Sequence, residues 1–377
     1  MSGFALRPAR LCSEGRELRG RTVLVEDGVV QDVVRRWPAG ARRVDLADAD
    51  LVPGLVDLHS DCLEVKARPR TSMELPLGEA LHELDAECAA HGITTQFVCV
   101  CLEDNVTKYR SIERGVETLS EVTRWAPSLR IRHRLHLRVD VTGDGIAAAR
   151  AMARSPLVGL VSYMLHLPGY GQFADEEAWR TYYTSVEGDP TAARDRLALR
   201  MRRLDRVADG RQRIAEAAHD GGAVLASHDD DSSAAVGLAH SLGARIAEFP
   251  INLEAAREAG RLGLSVVMGA PNARGGASHH GNLSAREALS EGVLDILASD
   301  YHPPSLLAAA YALAADGACS WAEAIALVTV APALAARLDS GGDIAAGVRA
   351  DLVAVGHRRE LPSVRQVWIE GKEVFKP

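Results

Sequence analysis

From about residue 50 to residue 300 the chain repeats one rhythm: a short apolar, β-branched run followed by a longer polar or alanine-rich stretch. Eight such runs occur: LVPGLVDLHSD, ITTQFVCVC, LRIRHRLHLRVD, LVGLVSYMLH, GAVLASHDD, ARIAEFP, LSVVMGAPN and LDILASDY. Runs of this length that are apolar on both faces read as buried parallel strands. The stretches between them, such as LGEALHELDAECAAHG and SLLAAAYALAADG, have helical spacing. Eight strands with crossover helices over roughly 250 residues predict an α/β protein built on a (β/α)8 TIM barrel. The two ends of the chain break the rhythm. RTVLVEDGVVQDVVR reads as a hairpin around Asp27-Gly28, and VRQVWIEGKEVF gives short strands around Glu370-Gly371. Residues 170–222 form a longer insertion, whose charged helix TAARDRLALRMRRLDRVADGRQRIAEAAHDG has opposite charges at i, i+4 spacing and reads as a solvated face.

Composition sharpens this picture. The 377 residues are 47% hydrophobic and only 5% aromatic, enough for one large barrel with a small accessory module. A formal charge of −8 argues against nucleic acid or an anionic membrane as a partner. The six cysteines form no C-x-x-C pair, and read as buried free thiols of a reducing compartment. The charged N-terminus lacks the apolar core of a signal peptide, and no run is long enough to span a membrane. These features point to the cytoplasm.

The strand ends carry the chemistry. His59 and Asp61 end the first run, His136 the third, His166 the fourth, His228 with Asp229 the fifth, Glu248 the sixth and Asp300 the eighth. In a barrel these ends converge on one mouth, so residues far apart in the chain become neighbours. His59 and Asp61, two apart on a strand, project to the same side. Taken singly, His136 reads as a hydrogen-bonding residue and Glu248 as an arginine partner. Jointly, His59, Asp61, His166, His228, Glu248 and Asp300 read as ligands of one or two divalent ions, with Zn2+ first and Mn2+ or Fe2+ as alternatives. Such an ion brings the pKa of bound water from about 16 towards 7. Asp300 is the expected proton acceptor, with His228 the second catalytic residue.

The segment LVPGLVDLHSD resembles the first barrel strand of the amidohydrolase superfamily, PG-x-x-D-x-H-x-H, and GGDIAAGVRADLVAV resembles its C-terminal signature G-x-I-x-x-G-x-x-A-D-L-V. The resemblance implies a small β-sandwich formed by residues 1–52 with 338–377, beside a barrel of residues 53–337. HSDCLE, RPR at 68–70, HGITT, HRLHLR, LASHDD, AEFP, MGAPN, SHHGN and LDILASDYHPPSLL are similar to the phosphonate-degradation branch of that superfamily. Members of the branch hydrolyse α-D-ribose 1-methylphosphonate 5-triphosphate to the 5-phosphate and pyrophosphate.

The resemblance therefore implies a diphosphatase acting on a small phosphorylated substrate, in a protein that forms homodimers. Arg68, Arg70, His136, Arg274, His279 and Asn282 are the residues expected to contact the substrate. The chain also departs from the superfamily pattern. It has no lysine between Lys108 and Lys372, so a carbamylated lysine is excluded as a bridge between two metals, and any bridging ligand is another residue such as His166, Glu64 or Glu248. Leu165 and Leu167 stand where the branch has an acid and a hydroxyl, and Cys62 where it favours Asn. A less polar site would suit C–N hydrolysis of a cyclic amide or deamination, the rival enzymatic reading. The other rival is a barrel that has lost its metal and serves as an assembly partner.

Overall fold

The structure is a computed structural model that describes residues 3–70, 72–103, 110–187, 189–275, 282–359 and 361–377. The N-terminal segment supplies β1 (Phe4–Ser13), β2 (Arg16–Leu18), β3 (Thr22–Glu26), β4 (Val29–Val34) and β5 (Arg42–Pro53). The central strands are β6 (Leu55–Ser60), β7 (Ile93–Cys101), β8 (Arg132–Asp140), β9 (Val158–Met164), β10 (Val224–His228), β11 (Ile246–Glu248), β12 (Ser265–Gly269) and β13 (Ile296–Ala298). The C-terminal segment adds β14 (Leu352–Arg358), β15 (Leu361–Ile369) and β16 (Lys372–Phe375).

The terminal strands share one sheet, ordered β16-β15-β14-β5-β1-β3-β4 with β2 alongside β1. Its apolar face, including Leu6, Leu11, Leu51, Leu352 and Trp368, forms a core separate from the central one. Both hairpin turns read from the sequence have two successive residues in the left-handed region, Asp27 and Gly28 at φ 50° and 80°, Glu370 and Gly371 at 50° and 69°. That is the backbone of a tight hairpin turn whose twist matches the strands it joins. The two turn tips touch, and a Cβ on Gly28 would lie 3.0 Å from the Glu370 carbonyl oxygen, so glycine is the residue that fits there.

The central strands run parallel in chain order, β6 through β13. Every residue of β6 and β7 is buried, as the continuous apolar runs predict. Helices cover the outside. Leu77–Ala90, for example, buries Leu77, Ala80, Leu81, Leu84 and Cys88 at helical spacing. The sheet is nearly closed into a barrel at its C-terminal end, where Asp300 N donates to His59 O (2.9 Å) and Asp61 N to Asp300 O (2.8 Å). Below that seam the fully buried Asp57 accepts from Ser299 N (2.9 Å), Ser299 Oγ (2.6 Å) and Gln96 Nε2 (3.3 Å), tying β6 to β13 and β7.

The charged face of the insertion is solvated as read, with Arg194, Asp195, Asp209 and Arg213 exposed, and Arg200 departs from it. The insertion contains helices Glu176–Glu187, Pro190–Met201 and Val207–Gly221. The second helix buries Ala193, Leu197 and Arg200 on one face. The cysteines are free thiols, five of them buried, and no helix among the described residues is long and apolar enough to cross a membrane.

The seam generates a stability prediction. Asp57→Ala leaves a buried amide and a hydroxyl without their acceptor, and should cost about 3 kcal/mol. Denaturant unfolding measures this, with Asp57→Asn expected to cost less because one acceptor remains. A wild-type midpoint for the alanine variant would remove the seam from the account.

Candidate metal centre

The C-terminal ends of the barrel strands surround a cavity of about 380 Å3. Five of the six expected metal ligands line it: His59, Asp61, His166, His228 and Asp300. Among the described residues four groups of three offer donor atoms within 4.8 Å of one another: His59, His228 and Glu248 and His59, Cys99 and His136 deeper in the barrel, and two more at the cavity. His59, Asp61 and Asp300 each offer an atom within 4.8 Å of the others, and so do His166, His228 and Asp229.

Glu248 stands behind the cavity wall at 1% exposure and holds the two central imidazoles. Its Oε1 accepts from His59 Nδ1 (3.0 Å), its Oε2 from His228 Nδ1 (3.3 Å), and His136 Nε2 lies 3.5 Å away. Donation through Nδ1 leaves both Nε2 atoms on the cavity side, where that of His228 meets Arg138 (2.9 Å) and that of His59 faces Asp61 (3.9 Å). Burial pushes the Glu248 carboxyl up, but the imidazoles of His136, His59 and His228 more than offset this and hold it well below the usual carboxylate range. Burial likewise pushes His59 down, and Glu248 and Asp61 together lift it by more.

Three residues that follow strand ends adopt left-handed backbone: Asp229 (φ 56°), Phe249 (φ 52°) and Asp300 (φ 57°). Such a conformation costs about 1–3 kcal/mol for a non-glycine residue and persists only where neighbours enforce it. Here each backbone N–H is held: Asp229 N by Glu248 O (2.9 Å), Phe249 N by Val267 O (2.9 Å) and Asp300 N by His59 O (2.9 Å). The Phe249 ring meets His59 and His228 edge-on, with centroids at 4.9 and 5.5 Å.

The donor set fits a divalent cation. His166 Nε2 and Asp229 Oδ2 are buried and outside hydrogen-bond geometry, though 3.4 Å apart. A lone pair and a carboxylate oxygen converging in this way are what a cation satisfies. Burial raises Asp229, and its neighbours His228, His166 and Arg138 together more than reverse that. Burial holds Asp300 above the usual carboxylate range, with His59 offsetting only part.

Two arginines enter the same space. Arg138, from β8, donates through Nη1 to both Asp61 oxygens (2.9 and 3.1 Å) and through Nη2 to His228 Nε2 (2.9 Å). Arg110 donates to Asp61 (3.3 Å), Glu64 (2.8 Å) and Glu103 (3.3 Å). Glu64, pushed up to about 7 by burial that Arg110 only partly offsets, is thus an arginine partner.

The residues expected at the substrate divide. Asn282 lines the cavity. His136 lies beneath it, bonded to Leu58 O (3.1 Å) and Ser162 Oγ (2.9 Å). Arg68 is half-buried after the helix Cys62–Ala67, Arg70 and Arg274 are exposed, and none of the three lines the cavity. His279 lies outside the described residues. The sequence reading missed Arg138 and Phe249 and left Asp229 without a role. The alternation in HRLHLR carried a signal for Arg138, which faces inward two residues beyond His136.

Comparison with known proteins accords with this geometry. Residues 190–374 match the family described as the amidohydrolase family. A protein of Escherichia coli (strain K12), alpha-D-ribose 1-methylphosphonate 5-triphosphate diphosphatase, is 37% identical over 337 residues, covering 86% of this chain and 88% of that one. The crystal structure of N-isopropylammelide isopropylaminohydrolase from Burkholderia multivorans aligns over 99% of this chain and 98% of its own, with TM-score 0.66 and 17% identity. A crystal structure of a Xaa-Pro dipeptidase with bound methionine aligns over 100% of both chains, with TM-score 0.66 and 14% identity. At these identities the two structures speak to the fold alone.

Glu248 can be tested directly. In Glu248→Gln one side-chain oxygen remains to accept, so one of the two imidazoles loses its acceptor and faces an amide donor. Affinity for Mn2+, measured by equilibrium dialysis, should fall about 10- to 100-fold. Unchanged affinity would mean that Glu248 does not orient the ligands.

Proposed function

This chain belongs to the amidohydrolase family and is a hydrolase, and we propose that it is a diphosphatase that releases pyrophosphate from a 5-triphosphorylated ribose phosphonate. The observation that carries the reading is the pairing of two donor groups with two arginines in one cavity. The 37% identity to a diphosphatase of that substrate supports it. His59, Asp61 and Asp300 would hold one divalent ion, and His166, His228 and Asp229 a second, Zn2+ being the first choice and Mn2+ or Fe2+ the alternatives. A divalent ion bound there would lower the pKa of water from about 16 towards 7 and offset phosphate charge.

The protein's own groups then have distinct tasks. Asp300 accepts the proton of the attacking water, a role suited to a carboxylate that lines the cavity beside His59 and Asp61. The water oxygen bonds to the α-phosphorus as the bridging P–O bond breaks, and pyrophosphate leaves. Glu248 keeps His59 and His228 in the tautomer that faces the site. Arg138, Arg110 and Asn282 are the donors placed to meet phosphate oxygens. Arg68, Arg70 and Arg274 follow β6 and β12 at the same end of the barrel, and we read them as cations of the rim. The terminal sheet is read as a small sandwich module of residues 1–52 with 338–377.

The rival C–N hydrolase reading rested on a less polar site. Leu165 and Leu167 are buried in the main core, Cys62 points its thiol at the Asp300 carbonyl (3.9 Å), and none of them lines the cavity. The cavity is instead lined by carboxylates, imidazoles and guanidinium groups, which suits a phosphorylated ligand.

A coupled pyrophosphate assay on the triphosphorylated ribose phosphonate tests the reading. Chelation should abolish release and Mn2+ or Zn2+ restore it, while ammonia or a new carboxylate from other substrates would transfer the assignment to C–N hydrolysis. Asp300→Asn should lower kcat about 100-fold or more while most metal stays bound. Wild-type turnover in that variant would remove Asp300 as the base.

A further inference from the structure

The insertion reaches the ligands from behind. Trp179, fully buried on helix Glu176–Glu187, donates its indole N–H to the His166 carbonyl oxygen (2.9 Å). Arg200, on helix Pro190–Met201 and 7% exposed, donates to the same carbonyl (3.4 Å), to Tyr183 Oη (3.4 Å) and to Glu103 Oε2 (2.8 Å), and its Nη1 lies 3.2 Å from Asp140 Oδ2. Glu103 also accepts from Arg110, whose other guanidinium nitrogens meet Asp61 and Glu64. A continuous line of alternating charge, Arg200–Glu103–Arg110–Asp61, thus joins the insertion to one ligand, while two donors on one carbonyl join it to another. Trp179 stacks on Tyr183 (centroids 4.1 Å apart), and Tyr182 and Tyr183 line the cavity.

We infer that Arg200 and Trp179 are positioning residues of the metal centre, and that the docked insertion sets the placement of His166 and Asp61 as well as forming the tyrosine wall of the cavity. A loop residue such as His166 has no strand ladder beyond Met164 to fix it, so its backbone needs other partners. A carbonyl held by an indole and a guanidinium, both buried, supplies them. Arginine suits the second task because its fork bonds several acceptors at fixed angles, which a lysine ammonium does not. The inference rests on the metal-centre reading above, and extends it to residues that touch neither metal nor substrate.

The test uses the full-length protein and Mn2+ alone, with bound and free ion separated by electron paramagnetic resonance. Arg200→Met should weaken Mn2+ binding about tenfold or more. Arg200→Lys should recover part of the loss by restoring a cation beside Glu103. Trp179→Phe keeps an aromatic ring there, loses the N–H, and should weaken Mn2+ binding about threefold at a temperature well below the lowered melting point that the smaller buried ring brings. In turnover the loss should fall on kcat, with KM moving little. Mn2+ affinities within twofold of wild type in both Arg200→Met and Trp179→Phe would overturn the inference. If Arg200→Met fails to fold, Trp179→Phe decides alone by the same criterion. A wild-type protein that binds Mn2+ yet releases no pyrophosphate overturns the diphosphatase reading alone, because the affinity ranking still decides this one.

Discussion

A carboxylate buried at the centre of a barrel sets the terms for everything around it. Glu248 has 1% exposure, and its hydrogen-bond partners are imidazoles. Taking an ionised carboxylate out of water costs several kcal/mol, and only close partners that favour the charged form offset that cost. His59 and His228 do so by turning their Nδ1 edges towards it. The ring orientation of two ligands on opposite sides of the barrel, β6 and β10, is therefore fixed by one acid on β11. The strand ladder fixes the acid in turn, since Glu248 O receives Asp229 N and the next residue, Phe249, donates to β12. Backbone register, tautomer and lone-pair direction form one causal sequence.

The parts of this sequence that follow chain periodicity could be read in advance, and the parts that cross the barrel could not. The buried strands, the turn at Asp27-Gly28, and the convergence of His59, Asp61, His166, His228 and Asp300 all follow from runs and strand ends. Glu248 was legible as a site residue, but its place behind the imidazoles depends on distances that no spacing encodes. Arg200 shows the limit most clearly. Its neighbours pair at i, i+4 like any solvated helix, while Ala193, Leu197 and Arg200 form a buried stripe at i, i+4 and i+7. An arginine within such a stripe marks a buried ion pair, and the charge pattern around it obscured the signal. Arg70 and Arg274 illustrate the opposite case, where proximity along the chain to a ligand strand leaves the side chain exposed.

The terminal sheet is coupled to this centre from the far end of the barrel. Asp351, in the segment GGDIAAGVRADLVAV, is 2% exposed and accepts from Arg132 at the start of β8, from Arg349, and from Glu370 N (3.0 Å). Its own carbonyl receives Gly54 N (2.8 Å), immediately before β6. One aspartate thus joins the sheet to two barrel strands, those that carry His59, Asp61 and Arg138 at their other ends. The motif has a physical content: an acid at that position locks the register of strands whose tips hold the chemistry.

Charge accounting within the cavity completes the picture. Arg138 is committed to Asp61 and His228, Arg110 to Asp61, Glu64 and Glu103, and Arg200 to Glu103 and Asp140. Each guanidinium therefore sits among acids that already balance it. A triphosphate brings about four further negative charges, and a low-dielectric cavity amplifies their repulsion from those acids. Arginines so engaged can donate hydrogen bonds to phosphate, but they supply little net charge. On the proposed reading the balancing charge would come from divalent ions held by the donor groups at the cavity and from Arg68, Arg70 and Arg274. On that reading the arginines act as scaffolding for the acids more than as the main attraction for a phosphorylated ligand.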